Sequence, residues 1–100
     1  MSTFRFEIRT PYALQVRVED DALVVELQDG RILSVPLAYF PRLLHGTPEE
    51  RQNFRLIGNG EGIHWPDLDE DISVEHLLLG IPSGESAASL QRWLEQRQAR

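Results

Sequence analysis

Apolar and polar residues alternate through "ALQVRVED", which puts Leu14, Val16 and Val18 on one side of an extended chain and Gln15 and Arg17 on the other. Successive side chains of a strand point to opposite faces, so this period of two predicts a half-buried strand. Asp20 and Asp21 supply a turn, and "ALVVELQ" repeats the pattern with Leu23, Val25 and Leu27 on one face. The pair Asp29-Gly30 in "QDGR" suits the positive φ angles of a type I′ hairpin turn. A third strand follows in "RILSVPL", with Leu33, Val35 and Leu37 turned inward. Together these segments predict an antiparallel meander.

Pro36 lacks the N–H that a central strand uses, so the third strand is expected to end there. The chain then passes into "LAYFPRLLHG", a short helical or irregular segment limited by Pro41. "TPEERQNF" starts a helix, with Thr47 as N-cap, Pro48 in the first turn, and Glu49 and Glu50 near the positive end of the dipole. Strand character returns at Phe54, Leu56 and Ile57. Glycines 58, 60 and 62 form a break, either a hairpin turn or a bulge, before Ile63 and Trp65 share one face of a last short strand. In "VEHLLLG", Val74, Leu77 and Leu78 have helical spacing, and Gly80 can close the helix in the left-handed conformation.

From Ser83 to Arg100, Ala87, Leu90, Trp93 and Leu94 make an incomplete apolar stripe, with Arg92, Arg97 and Arg100 toward the negative end of the helix dipole. These few apolar residues do not sustain a lone helix in water, so the tail must pack on something. The expected fold is α+β: a small curled antiparallel sheet, made of the meander plus one or two short strands, with short helices and a C-terminal helix. Residues 1–82 form the domain, and residues 83–100 a helix packed on it or on a second subunit, with homodimerisation through the tail as the favoured outcome.

The length of 100 residues supports one core, and no apolar run approaches the ~20 residues needed to cross a bilayer. "MSTFRFEIRTP" alternates and lacks the layout of a signal peptide, so a cytoplasmic location without membrane contact is expected. Absence of cysteine removes disulfides, thiol nucleophiles and thiolate metal sites. Ten basic residues, all arginine, face sixteen acidic ones, and the net charge of −6 disfavours sequence-independent attraction to phosphate backbones. With no lysine, Schiff-base chemistry and a P-loop are excluded.

The stretch "GIHWPDLDEDIS" concentrates the candidate chemistry: His64, Trp65, Asp67, Asp69 and Asp71, with Trp93 further along. The DxDxD spacing resembles a calcium loop, yet Ile72 stands where such a loop needs glycine and Leu78 where it needs a bidentate glutamate. The alternative is a strand exit and helix start, with Ile63 and Trp65 buried, Pro66 ending the strand, and a carboxylate or Ser73 capping the next helix. His64 lies on the strand face opposite Ile63 and Trp65, where exposure or a bond to a carboxylate would account for it. Trp65 reads as a core aromatic, since no second aromatic alternates with it and no basic residue flanks it. His45, His64 and His76 lack HExxH spacing, "GIPSGES" lacks a nucleophile elbow, and no nucleophile–base pair is visible. No metal or other cofactor is expected.

The run from Ser34 to Gly80, with the "VEDDALVVELQDGR" hairpin ahead of it, resembles the bacterial domain of unknown function family DUF2442. The resemblance implies a small α+β domain, in which the segment from the glycine before "IHW" to the following helix is a structural hallmark with no assigned catalytic role. Tyr39 and Phe54 stand where the family pattern suggests larger indole rings. Many members are encoded beside a small protein of the family numbered 4160, an arrangement that resembles a toxin–antitoxin pair. Some carry a helix-turn-helix after the domain; only one helix follows here, so direct nucleic-acid contact is not expected.

The expected function is thus a non-enzymatic protein-interaction domain, an antitoxin-like acidic partner of a small basic protein such as a family 4160 member. Charge complementarity would steer that pairing. One alternative is a regulatory module acting through a DNA-binding partner. The other is a metal-dependent hydrolase built on Asp67, Asp69, Asp71 and His64, which requires those carboxylates to converge in a cleft.

Overall fold

A computed structural model describes residues 10–99 of the chain. The alternating segment ahead of Thr10 lies outside the described residues. The first meander is β1 (Ala13–Val18), β2 (Ala22–Leu27) and β3 (Ile32–Pro36), antiparallel and in that order. As the alternation predicts, Leu23, Val25 and Leu27 of β2 are fully buried, with half-buried Leu33 and Val35 beside them on β3.

Two local features differ from the sequence reading. The register of β1 shifts between Ala13 and Gln15, so Ala13 takes the inward position and Leu14 is left exposed. An extra residue in one strand reverses the facing of what lies beyond it, and alternation alone does not reveal it. The turn after β2 is a three-residue loop in which Gly30 has φ of 91° while Asp29 stays at negative φ, so it is not type I′. Its closure comes from Gly30 N–H to Leu27 O at 3.0 Å and Leu27 N–H to Arg31 O at 2.8 Å, the pattern of a type I turn followed by a glycine bulge. As expected, β3 ends at Pro36, which costs no ladder bond because on this edge strand its nitrogen points away from β2.

After a 3₁₀ turn at Leu37–Tyr39 come α1 (Pro41–Leu44) and α2 (Pro48–Gln52). The Thr47 hydroxyl accepts from Glu50 N–H and the Glu50 carboxylate accepts from Thr47 N–H, a reciprocal cap that fixes the start of α2. The glycine break is another 3₁₀ turn, and it joins the two halves of the molecule. Gly60 has φ of 101°, and a Cβ there would collide with the backbone of Ala13.

In place of one curled sheet extended by a last strand, a second three-stranded meander forms from β4 (Arg55–Ile57), β5 (Gly62–Trp65) and β6 (Glu70–Ser73). Pro66 does end β5, but the acidic run then folds back as β6 instead of leading straight into a helix. Leu68 at the hairpin tip is fully buried, and Asp69 takes a left-handed φ of 50° to complete the reversal. Ser73 ends β6 and caps α3 (Val74–Leu79), its hydroxyl accepting from His76 N–H. Gly80 closes α3 at φ of 71°. The core lies between the meanders, with Trp65, Ile63, Leu68 and Val74 against Leu23, Val25 and Leu27.

The C-terminal α4 (Ala87–Gln98) packs on this body through Trp93, which is buried, and half-buried Leu90 and Leu94.

Candidate functional site

Strand parity sorts the second meander into two faces. Leu56, Ile63 and Ile72 stand opposite one another on the core side. On the outer side lie two rows across the strands: Arg55, His64 and Asp71, then Ile57, Gly62 and Ser73. His64 and Asp71 are cross-strand partners, and His64 Nδ1 lies 2.5 Å from Asp71 Oδ1, so the carboxylate orients the ring. The sequence left exposure or a carboxylate bond as accounts of His64; both hold, with its side chain about one-fifth exposed.

Beside that pair is an open depression of about 500 Å³. Ile57, exposed on the edge strand β4, lines it together with Gly58 and Gly62. Glu61, Asp71 and His76 surround it, and the Asp71 side chain remains 70% exposed. A larger hollow of about 730 Å³ shares Glu61 and Ser73 and is walled also by Thr10, Pro11 and Tyr12.

The acidic residues do not converge. Asp67 accepts from Asn53 Nδ2 at 2.8 Å, Asp69 is nearly fully exposed 3.6 Å from Arg42, and Asp71 holds His64. Burial pushes the Glu70 carboxyl above its ordinary range, opposed by the Arg42 guanidinium. Among the described residues, no group of three or more His, Cys, Asp or Glu side chains is placed to hold a metal ion. Trp65 is wholly interior; its Nε1–H donates to Arg51 O at 2.9 Å, and its ring tilts against Phe54 with centroids 5.8 Å apart.

Trp93 belongs to a different place, the seam under α4. Its ring is approached by two guanidinium groups, Arg97 at 4.6 Å and Arg42 at 5.1 Å from the centroid. Each arginine is paired: Arg42 Nε with Glu85 at 2.5 Å and Arg97 Nη2 with Glu50 at 2.6 Å. The Arg42 guanidinium holds Glu85 below the usual carboxylate range, and the Arg97 guanidinium lowers Glu50 to about 2. Arg42 also donates to the Leu68 and Asp69 carbonyls, so it ties α4 to the β5–β6 turn. The sequence placed Glu50 and Arg97 only at helix ends and did not single out Arg42 or Glu85, because the paired residues lie 43 and 47 positions apart. It also missed Ile57 and Glu61 on the outer face, because a three-residue strand shows no legible alternation.

Two antiparallel meanders around one core, helices between and after them, and an acid-rimmed outer face define a small α+β domain. The chain belongs to the DUF2442 family, proteins of unknown function, whose pattern matches residues 13–83. No curated protein is significantly similar to it. A crystal structure of a protein of unknown function from Rhodospirillum rubrum has a TM-score of 0.66 and 26% identity, covering 80% of this chain and 96% of that one. A solution structure of an uncharacterized protein from Chromobacterium violaceum has a TM-score of 0.61 and 25% identity, covering 81% of this chain and 74% of that one. Both relatives are bacterial. Among the described residues no helix is long and apolar enough to cross a membrane.

Proposed function

We propose that this chain is a non-enzymatic protein-interaction domain, the acidic member of a pair with a small basic protein, in the manner of an antitoxin. The observation that carries this reading is the outer face of the second meander, where exposed Ile57 lies in an open depression with Glu61 and Asp71 around it. An apolar centre with a polar rim is the anatomy of a protein–protein contact, and a net charge of −6 favours a cationic partner. The family 4160 protein implied by the family's gene arrangement is the first partner to try.

Co-purification of the chain with that protein tests the proposal. Retention is expected, weakening as salt rises, and Ile57→Glu and Asp71→Lys should each abolish it while the circular dichroism spectrum stays unchanged. Retention equal to wild type in both variants would overturn the assignment of this face. Recovery of DNA in place of protein would favour the regulatory module.

A further inference from the structure

The hydrogen-bond parity of β3 shows what its free edge can pair with. Leu27 donates to Arg31 O, and the register couples Leu33 to Val25 and Val35 to Leu23, so the odd-numbered residues of β3 direct their N–H and C=O toward β2. Ile32 and Ser34 therefore direct theirs outward, and no other described hydrogen bond reaches these groups. Pro36, next on that side, presents no donor.

The other sheet edges are guarded. On β1 the Val18 carbonyl is occupied by Gln52 Nε2 at 3.0 Å, the strand is bulged near Leu14, and Arg17 and Glu19 add charge. β4 has only three residues, one of them Arg55, and β6 carries Glu70 and Asp71. From Ile32 to Pro36 there is no charged residue and no bulge, although Ile32 is 63% exposed. Natural edge strands are usually blunted by charge, bulge or cover, and a bare one is a template for another strand.

We infer that the β3 edge pairs with the β3 edge of a second copy of this chain, antiparallel about a two-fold axis at Leu33. The outward groups are self-complementary under that operation. Ile32 and Ser34 of one copy each exchange N–H···O=C bonds with Ser34 and Ile32 of the other, using the exposed donors and acceptors of both residues without needing one at Pro36. The Leu33 side chains meet directly on the core side, and the Ile32 side chains become diagonal neighbours on the outer side, covering exposed apolar surface. An uncharged strand suits a copy of itself better than it suits a charged partner. The surface is separate from the Ile57 depression, so either assignment can fail without the other.

Light scattering after size exclusion is combined with amide exchange, comparing wild type, Ile32→Lys and Ser34→Pro. Ile32→Lys replaces an exposed side chain and keeps the fold; Ser34→Pro deletes an outward donor. Wild type at ~100 µM is expected to show twice the chain mass, with the Ile32 and Ser34 amides exchanging at least ~10-fold faster after dilution. Both variants are expected at the single-chain mass. A wild-type monomer at this concentration, or a doubled mass retained in Ile32→Lys, would overturn the inference. So would slow exchange at Ile32 and Ser34 in a monomer, since another segment of the chain would then cover the edge.

Discussion

Arg97 and Glu50 join the last helix to the short second one: Nη2 lies 2.6 Å from Oε1 and Nη1 2.9 Å from Oε2, a bidentate pair with both side chains largely screened from water. The same carboxylate accepts the Thr47 N–H at 2.8 Å, so one side chain caps α2 and anchors α4.

That dual role gives a pH dependence. Glu50 titrates at about 2 in the folded chain against an ordinary 4.5, so its contribution is complete above pH 4.5 and is lost as the pH falls toward 2. Glu50→Gln should cost about 1–3 kcal/mol in urea denaturation at pH 7. The gap between variant and wild type should close near pH 2, and a gap independent of pH would contradict the pairing.

The Trp93 ring combines burial with cation–π contacts to Arg42 and Arg97. Trp93→Leu keeps an apolar side chain but removes the π faces, and should cost about 1–3 kcal/mol. If the arginines act through the ring, Arg42→Gln should cost less in the Trp93→Leu background than in wild type. A double-mutant cycle measures that difference.

Gly60 and Gly30 both have positive φ, but only Gly60 abuts another backbone. Gly30→Ala should cost about 1 kcal/mol, the penalty of the left-handed conformation alone. Gly60→Ala should cost about 2–4 kcal/mol, because the Cβ must also displace Ala13 and separate the two meanders. Thermal denaturation of the two variants side by side checks the order.

Ser73 supplies the cap of α3, and the acidic residues ahead of it are engaged elsewhere. Ser73→Ala should cost about 0.5–2 kcal/mol. Calorimetric titration with calcium, magnesium, manganese and zinc should show no site tighter than ~10 µM, since carboxylates with separate partners do not form a coordination shell. A tighter site lost in Asp67→Asn or Asp69→Asn would refute this arrangement.

Local signals determined the elements whose cause is local. The alternation of Leu23, Val25 and Leu27, the capping box from Thr47 to Glu50, the Ser73 cap and the Gly80 terminus could all be read along the chain, because each depends on residues within a few positions. Only the tertiary structure decided that Glu70 to Ser73 is a strand. Asp69, Glu70 and Asp71 are all charged, and the pairing of Glu70, Asp71 and Ile72 with Trp65, His64 and Ile63 outweighs a composition that disfavours strands. It decided too that Leu14 faces out, since a bulge arises from how β1 meets β2 and Gly60. The outer-face row of Arg55, His64 and Asp71 and the two guanidinium contacts of Trp93 exist only once distant segments meet, because long-range pairing leaves no periodic trace in the sequence.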